Sequence, residues 1–247
     1  MSGGVPPVGG SRRPALHARI IHIFDHNADT RSLFLRIDDG KISPLTKMAP
    51  ITPGQFLSIA IPLGDETLTR PYTIASNPGD DEIEICFNRV PGGRGVGYLF
   101  DRQIGDTLDF TGPFGLFTLE AAPVTETIFI AEATAIAPIR PMIHRALSSA
   151  TAFPLFLIHA APDEAHLLYR DELARLADAN PILRFEPIVS DAPWTRIAEI
   201  VRARWIDADT ARDRRFFLCG AGAGVIALRD LLRGAGYERR AVRYEQW

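Results

Sequence analysis

The spacing of hydrophobic residues changes near the middle of this chain. Between Ala15 and about Glu120, short β-rich runs are separated by Gly, Pro, Asn and Asp. In the run EIEICFNRV, apolar residues alternate with polar or small ones from Ile83 to Phe87. Short alternating runs of this kind predict an antiparallel barrel or sandwich. The runs are ALHARIIHIF, RSLFLRI, GQFLSIAI, RPYTIAS, EIEICFNRV and DTLDFTG.

From about Pro123 onward, the hydrophobic runs are continuous and helical patterns lie between them. Continuous runs are typical of strands buried on both faces, and their alternation with helices predicts a parallel, doubly wound sheet. Ligands of such sheets bind beyond the carboxyl ends of the strands. The predicted strands are TIFIA (127–131), PLFLIHA (154–160), ILRFEPIV (182–189) and RFFLC (215–219). The predicted helical faces run from Ile139 to Leu147, from Tyr169 to Leu176 and from Val225 to Leu232, the last with Gly234 or Gly236 as its cap.

The length of 247 residues and the change of pattern predict two domains. We assign residues 1–14 to a flexible tail, 15–121 to a β-barrel domain and 122–247 to an α/β domain. The net charge is −3 with no long run of one sign, which argues against a nucleic-acid partner. No apolar run approaches the ~20 residues of a membrane helix, and the start lacks the apolar core of a signal peptide. The sequence therefore predicts a cytoplasmic protein and leaves its oligomeric state open.

The cysteines and histidines do not indicate a metal site. Two cysteines, Cys86 and Cys219, cannot supply the four thiolates of an iron–sulfur cluster. A disulfide between them is not expected in a cytoplasmic chain. The six histidines match neither HExxH nor a zinc-finger spacing. We therefore predict no metal centre.

Two stretches of the first half contain candidate binding residues. In RPYTIAS, Arg70 and Tyr72 point to the same face of a strand, and Thr73 follows. A cation, an aromatic ring and a hydroxyl suit a planar ligand that has a phosphate tail, although an edge strand with a surface Arg–Tyr pair has the same pattern. In VPGGRGVGYLF, a glycine-rich turn before a short helix can present N–H groups to an anion, or can be a simple hairpin loop.

The order of these pieces is more informative than any one of them. PGQF is followed by RPYT, a GGxG loop, GPFGLF (112–117), IAxxTxIAPIR, a Cys–Gly pair and a terminal aromatic residue. This series spans the chain from about Ala15 to Trp247 and resembles the ferredoxin–NADP reductase family. The resemblance implies an N-terminal six-stranded Greek-key barrel that binds flavin, usually FAD. It also implies a C-terminal parallel sheet that binds a nicotinamide nucleotide.

The resemblance assigns roles to the two barrel motifs. Arg70 would neutralise the flavin phosphates, Tyr72 would pack against the isoalloxazine ring, and Thr73 would lie near N5, the atom that accepts hydride. Backbone N–H groups from Gly93 to Val96 would hold the pyrophosphate. The family often has Ser or Thr at the position of Val96, so one hydroxyl contact is missing here. The implied flavin site is Arg70, Pro71, Tyr72, Thr73, Gly93, Arg94, Gly95 and Val96.

The turn EATAIAP departs from the family, which usually has GGTGIAP at this place. Thr134 and Ala135 are the implied nucleotide contacts, but Glu132, Ala133 and Ala135 replace glycines. At a position that needs φ > 0, alanine costs on the order of 1 kcal/mol. Glu132 would repel a pyrophosphate unless it points to solvent, caps the following helix or meets a cation, for which Arg140 is the first candidate and Arg145 the second.

Two pieces near the C-terminus complete the resemblance. Cys219–Gly220 resembles the family's CG turn, where the cysteine lies close to the nicotinamide; a buried thiol at a strand end is the alternative. Trp247 would cover the flavin face that nicotinamide must reach, or would plug the seam between the domains. Glu245 would accept or relay a proton near N5. The implied catalytic residues are Thr73, Cys219, Glu245 and Trp247.

The turn after the third strand of the second domain bears on the choice of nucleotide. NADP has an extra 2′-phosphate that needs Arg or Lys, and family members that use it commonly have a Ser–Arg pair here. In this chain Ser190 is followed by Asp191, which would repel a phosphate and can hydrogen-bond a ribose hydroxyl, unless it is simply a solvated loop residue. We therefore predict NADH in preference to NADPH.

Together these features predict an FAD-dependent NAD(P)H oxidoreductase. It would pass a hydride from NADH to FAD and then electrons to a separate acceptor: a ferredoxin-like protein, an oxygenase component, a quinone or another small oxidant. The alternative is a flavin-binding electron-relay or sensor subunit whose EATA turn no longer binds nicotinamide.

Overall fold

The computed structural model describes residues 16–37, 50–77, 79–149, 151–208 and 210–247. The tail predicted at residues 1–14 lies outside the described residues. Within the described ranges, no helix is both long and apolar enough to cross a bilayer.

Six antiparallel strands form the first half of the chain, and the predicted barrel is confirmed. Their order in the sheet is β4-β3-β6-β1-β2-β5. A bridge between Ile74 and Ile85 joins the two edges and closes the barrel. Alternate residues such as Ile83 and Ile85 fill its interior, which is why the sequence alternates. The elements are β1 (Leu16–Asp25), β2 (Thr30–Ile37), β3 (Phe56–Leu63), β4 (Glu66–Thr73), β5 (Ile83–Asn88), α1 (Arg94–Phe100) and β6 (Thr107–Phe114).

The motif RPYT stands at the end of β4, although the predicted run begins with it. β3 and β4 form a hairpin in which Leu63 pairs with Glu66, and Gly64 takes a φ of 65° in the tight turn. The first residues of β4, Glu66 to Thr69, are mostly exposed. They therefore lack the buried apolar face by which the start of the strand could have been predicted. RPYT consequently lies where the chain leaves the barrel edge and can face the second half of the protein.

The second half is a five-stranded parallel sheet with helices on both faces, and this predicted fold is confirmed as well. The strand order is β11-β10-β7-β8-β9. Successive strands are added on one side of β7 as far as β9, and then on its other side from β10 to β11, so the order reverses between β7 and β10. Gly236, just beyond α5, has a φ of 101°, so it is the glycine that follows the helix end. The elements are β7 (Thr127–Glu132), α2 (Ile136–Ser148), β8 (Leu155–Ala161), α3 (Arg170–Ala179), β9 (Leu183–Val189), α4 (Pro193–Val201), β10 (Arg215–Gly220), α5 (Gly222–Gly234) and β11 (Val242–Gln246).

Two of these elements are absent from the sequence-based prediction. β11 is a short edge strand with mostly polar side chains, and it forms because its backbone pairs with β10. α4 begins with Pro193 at its first turn and packs through Ile197, Ile200 and Val201. The signal that could have found it is the helical spacing of these three apolar residues.

Arg140 on α2 connects the two halves of the molecule. Its guanidinium donates to the carboxylate of Glu84 on β5 (2.9 Å) and to the carbonyl of Ala75 (2.7 Å). Glu84 is buried and also accepts hydrogen bonds from the hydroxyls of Ser32 and Tyr169, each at 2.6 Å. This polar network fixes the start of α2 against the strand that follows RPYT.

Candidate active site

A cavity of about 620 Å³ lies where the barrel meets the C-terminal strand. Its walls come from five stretches of chain: the start of β3, the second half of β4, the end of β5, the loop before α1 with its first turn, and the end of β11. The fold therefore brings both barrel motifs and the C-terminal residues to one place. Among the walls are Arg70, Pro71, Tyr72, Thr73, Gly93, Arg94, Gly95, Val96, Glu245 and Trp247, all of them residues singled out in the sequence.

One edge of this cavity is cationic. Arg70 is exposed, and Arg94 is 3.8 Å from Glu66 in an ion pair that is open to solvent. Gly95 allows α1 to approach β3 and β4 closely, because an added methyl group would lie 2.9 Å from Cδ1 of Ile61 and 3.4 Å from Cγ of Arg70. The first N–H groups of a helix have no intrahelical acceptors. Two cations beside such N–H groups fit the phosphates of a dinucleotide.

The remaining barrel walls are aromatic and apolar. Tyr72 packs edge-on against Phe87, with 5.5 Å between the ring centroids. Burial raises the pKa of Tyr72 to about 12, so the phenol stays neutral. Phe56 and Asn88 also line the cavity, and neither was among the site residues predicted from the sequence, although Phe56 belongs to the motif PGQF. An aromatic slot beside a cationic edge fits a flavin nucleotide, a planar ring with a phosphate tail.

The C-terminal strand forms the wall that belongs to the second half of the chain. β11 pairs in parallel with β10, so Glu245 lies opposite Cys219 and Gln246 opposite Gly220. The backbone N–H of Trp247 donates to the carbonyl of Gly220 (3.2 Å), which holds the last residue at the carboxyl end of β10. The side chain of Trp247 is 47% exposed and lines the cavity, so it borders both the cavity and solvent.

Glu245 and Cys219 have strongly shifted acidities at this junction. Burial raises the pKa of Glu245 to about 7, so this carboxyl group can give or take a proton near neutral pH. Cys219 is fully buried. Burial, and secondly the charge of Glu245, raise the pKa of the Cys219 thiol well above its ordinary value. The thiol is therefore neutral and is not a nucleophile.

The turn after β7 contains one strained residue. β7 ends at Glu132, residues 133–135 form a single 3₁₀ turn, and α2 follows directly. Ala133 has a φ of 47°, a left-handed conformation that costs a non-glycine residue roughly 1–2 kcal/mol. Ala135 has a φ of −68° and does not need glycine. Thr134 and Ala135 are both buried. Of the two alanines, only Ala133 has the backbone cost expected for a replaced glycine.

A buried histidine of the neighbouring strand supports this turn. His159 on β8 is fully buried, and its Nε2 donates to the carbonyl of Ala133 (3.0 Å). Burial lowers the pKa of His159 to about 4, so the ring is neutral. Its proton lies on Nε2, because the carbonyl of Ala133 can only accept. His159 was not predicted from the sequence, where its one signal is a histidine inside a continuous apolar run.

Glu132 adopts none of the arrangements expected from the sequence. It is half-buried, its side chain does not cap the following turn, and Arg140 is engaged by Glu84. Instead, Glu132 Oε2 accepts a hydrogen bond from the indole Nε1 of Trp194 (2.7 Å). Trp194 is the second residue of α4. The expectation that Arg140 partners Glu132 is therefore wrong, because the interdomain network holds that arginine.

The other predicted residues lie along the carboxyl edge of the parallel sheet and do not line this cavity. Asp191 is exposed in the loop between β9 and α4. The backbone of this loop is held by Ser190, whose hydroxyl accepts from the N–H of Ala192 (3.1 Å). These residues follow the crevice in which doubly wound sheets bind their ligands. They are Thr134, Ala135, Asp191, Cys219 and Gly220.

Comparisons with known proteins agree with this arrangement. Residues 19–119 match the family described as "Oxidoreductase FAD-binding domain", and residues 129–226 match "Oxidoreductase NAD-binding domain". Ferredoxin–NADP reductase B of Sorangium cellulosum (strain So ce56) is 32% identical over 205 residues, which are 78% of this chain and 84% of that protein. The chain belongs to the ferredoxin–NADP reductase family. It is an oxidoreductase with one FAD-binding and one NAD(P)-binding domain.

Other similar proteins agree with the ferredoxin–NADP reductase fold. The crystal structure of a ferredoxin–NADP+ reductase from Neisseria gonorrhoeae with bound FAD and NADP superposes with a TM-score of 0.78, over 94% of this chain and 98% of that one, at 18% identity. The ferredoxin–NAD(P)+ reductase component of the naphthalene 1,2-dioxygenase system of Pseudomonas putida is 28% identical over 199 residues. That match covers 78% of this chain but 59% of the Pseudomonas protein, so the chain spans little more than half of such reductase components.

Proposed function

We propose that the protein takes a hydride from NADH onto an FAD held between its two domains and passes the electrons to a separate acceptor protein. In this proposal residues 15–121 form the FAD-binding domain and residues 122–247 the nicotinamide-binding domain. The supporting observation is the single cavity in which RPYT, the glycine-rich loop and the C-terminal residues meet.

The barrel residues would hold the cofactor. Arg70 and Arg94 neutralise the phosphates of FAD, while the backbone N–H groups of Gly95 and Val96 donate to them. Tyr72 packs against the ring system and remains neutral, so it adds no charge there. When bound, the flavin supplies the hydride acceptance and one-electron transfer that side chains lack.

The residues at the domain junction would serve the transfer itself. The hydroxyl of Thr73 orients the reacting edge of the ring, and Glu245 exchanges a proton near neutral pH, since its pKa is about 7. Trp247 shields the ring face from water until the nicotinamide arrives. Cys219 would contribute packing at the end of β10 and would not act as a nucleophile, because its thiol is buried and neutral.

The nicotinamide nucleotide would bind along the carboxyl ends of β7 and β10, against Thr134, Ala135 and Gly220. We propose NADH as the preferred donor, because the exposed carboxylate of Asp191 would repel the 2′-phosphate of NADPH. The relay alternative is less well supported, since the match to the NAD-binding domain family spans the altered turn.

The names of relatives support a protein acceptor. They describe reductases of ferredoxins, and reductase subunits of systems such as an aromatic O-demethylase and glycine betaine monooxygenase. We propose a ferredoxin-like or oxygenase acceptor for this protein too. Both of its cysteines are buried and free, and two thiols cannot hold an iron–sulfur cluster. An iron–sulfur carrier would therefore lie outside this chain.

Anaerobic reduction tests the proposal. The FAD-loaded protein is mixed with NADH or NADPH in a stopped-flow instrument, and we expect both to bleach the flavin absorbance, NADH with the higher second-order rate constant. The substitution Asp191→Arg should move that preference toward NADPH. Asp178→Arg, at an exposed position of α3, is the matched control and should not. A bound flavin that neither nucleotide reduces would refute the proposal in favour of the relay, and a protein that takes up no FAD would refute both.

A further inference from the structure

The side chain of Trp194 lies across the crevice of the parallel sheet. The order of strands reverses between β7 and β10, and ligands of doubly wound sheets bind beyond the carboxyl ends at such a reversal. Glu132 is the last residue of β7, and Gly220 is the last residue of β10. Trp194 contacts both: its indole donates to Glu132 (2.7 Å), and its ring packs on Gly220.

The ring also covers the beginning of α5. A methyl group added to Gly220 would lie 2.1 Å from Cζ2 of Trp194, and one added to Gly224 would lie 2.2 Å from Cγ. Only glycine is compatible with the ring at either position. The ring therefore fills the space above the end of β10 and the first turn of α5, a helix that has no side-chain cap. The pyrophosphate of a bound nucleotide uses space of this kind, beside a strand end and a helix start.

The helix that presents Trp194 has its buried contacts at other positions, although the half-buried indole also lies against the same core cluster. The buried residues of α4 are Ile197, Ile200 and Val201, whereas Trp194 is only half-buried in the first turn. The residues just before the helix, Asp191 and Ala192, are exposed. The ring can consequently leave the crevice while the apolar contacts of α4 with the sheet remain.

We propose that Trp194 is a lid residue that determines access of the nicotinamide nucleotide to this crevice, and that Glu132 is the latch that holds it closed. The inference rests on the proposed function, because it assumes that a nicotinamide nucleotide binds here. The entering nucleotide displaces the ring and breaks the Trp194–Glu132 hydrogen bond. Apparent affinity is then reduced by the fraction of molecules in which the lid is closed.

The lid explains why a carboxylate is tolerated in this turn. In the closed state the charge of Glu132 is engaged by the indole N–H, a charge-assisted hydrogen bond. In the open state that charge is released next to the nucleotide phosphates and disfavours them. Glu132 thus opposes nucleotide binding twice, once as latch and once as a negative charge, and the two contributions can be separated by substitution.

The test measures nucleotide binding directly. NAD+ is titrated into the oxidised, FAD-loaded protein in a calorimeter, and NADH reduction is followed separately by stopped-flow. Trp194→Ala removes the ring and should lower the Kd for NAD+ about 10-fold, and Trp194→Phe, which keeps a ring but loses the N–H, about 3-fold. Both variants retain the Glu132 charge, so tighter binding cannot arise from lost repulsion.

Trp205→Phe is the matched control, since Trp205 donates to a carboxylate, that of Glu126 (3.4 Å), but lies in the core beyond α4. It should leave the Kd unchanged. An unchanged or weaker Kd in Trp194→Ala, together with normal flavin reduction by NADH, overturns the lid alone, and a weaker Kd shows that the ring stacks on the nucleotide. A wild-type flavin that NADH and NADPH leave oxidised overturns the proposed function instead. If Trp194→Ala does not fold, Trp194→Phe decides by the same comparison.

Discussion

Removing the guanidinium of Arg140 should weaken the contact between the two halves of the protein and lower the free energy of unfolding. In Arg140→Met the apolar stem is retained, but the guanidinium that donates to Glu84, Glu172 and the carbonyl of Ala75 is lost. The side chains of Arg140 and Glu84 are 12% and 4% exposed, so water cannot replace the lost partner. Glu84 is left as a buried carboxylate with hydroxyl donors alone.

The magnitude follows from that burial. Breaking a buried ion pair by removing one partner costs roughly 3–5 kcal/mol, because the remaining charge is uncompensated. An exposed pair such as Arg36–Glu82, at 56% and 34% exposure, contributes only about 0–1 kcal/mol. Arg140→Met should therefore lower the free energy of unfolding by about 3–5 kcal/mol, and the control Arg36→Met by less than about 1 kcal/mol. Replacing Glu84 by Gln in the Arg140→Met background should recover part of the loss.

Urea unfolding, followed both by far-UV circular dichroism and by flavin fluorescence, provides the measurement. The rate of flavin reduction gives a second one, since Arg140 holds the start of α2 against Ala75, two residues after Thr73. Misplacement by about 1 Å costs on the order of 100-fold in rate, so the limiting reduction rate should fall by about 10- to 100-fold. If Arg140→Met is as stable as Arg36→Met, or if the Glu84→Gln change makes it worse, the buried-pair reasoning is refuted.

Three other outcomes are expected. Ala133→Gly should raise the free energy of unfolding by about 1 kcal/mol, since it relieves a φ of 47°, while Ala135→Gly, at an ordinary φ, should lower it by about 1 kcal/mol in the same urea titration. Arg70→Met should weaken FAD binding by about 10- to 100-fold in a fluorescence titration, with Arg36→Met as the control. Glu245 has a folded pKa of about 7 against an ordinary 4.5, so it disfavours folding increasingly as the pH rises from 4.5 to 7. Glu245→Gln should therefore be more stable than the wild type at pH 8 and equal to it near pH 4.

Each of these expectations can fail independently. Equal effects of the two glycine substitutions would contradict the left-handed assignment at Ala133. FAD affinity that is unchanged in Arg70→Met would remove this residue from the phosphate site. A stability difference between Glu245→Gln and wild type that does not vary with pH would contradict the raised pKa.

Local sequence determines most of the fold of this protein. Both β5 and β7 are buried on both faces. β5 alternates because Ile83 and Ile85 fill the barrel while Glu84 meets Arg140 on the other side, whereas TIFIA is continuous because both of its faces make apolar contacts. Because side-chain direction repeats every two residues, Arg70 and Tyr72 lie on one side of β4. Backbone geometry acts over a few residues, so patterns of this kind can be read without tertiary information.

The tertiary structure decided how distant pieces meet. β11 has mostly polar side chains and forms a strand because its backbone hydrogen-bonds to β10. This pairing places Glu245 and Trp247 at the barrel cavity. Glu132 and Trp194 are 62 positions apart, and Glu84 and Arg140 are 56 apart. Nothing in the residues near Glu132 selects an indole over a cation; the choice is made because the interdomain network holds Arg140 while the β9–α4 connection brings Trp194 to the end of β7. Long-range packing determines which partner a charged side chain meets, and that partner cannot be predicted from hydrophobic periodicity.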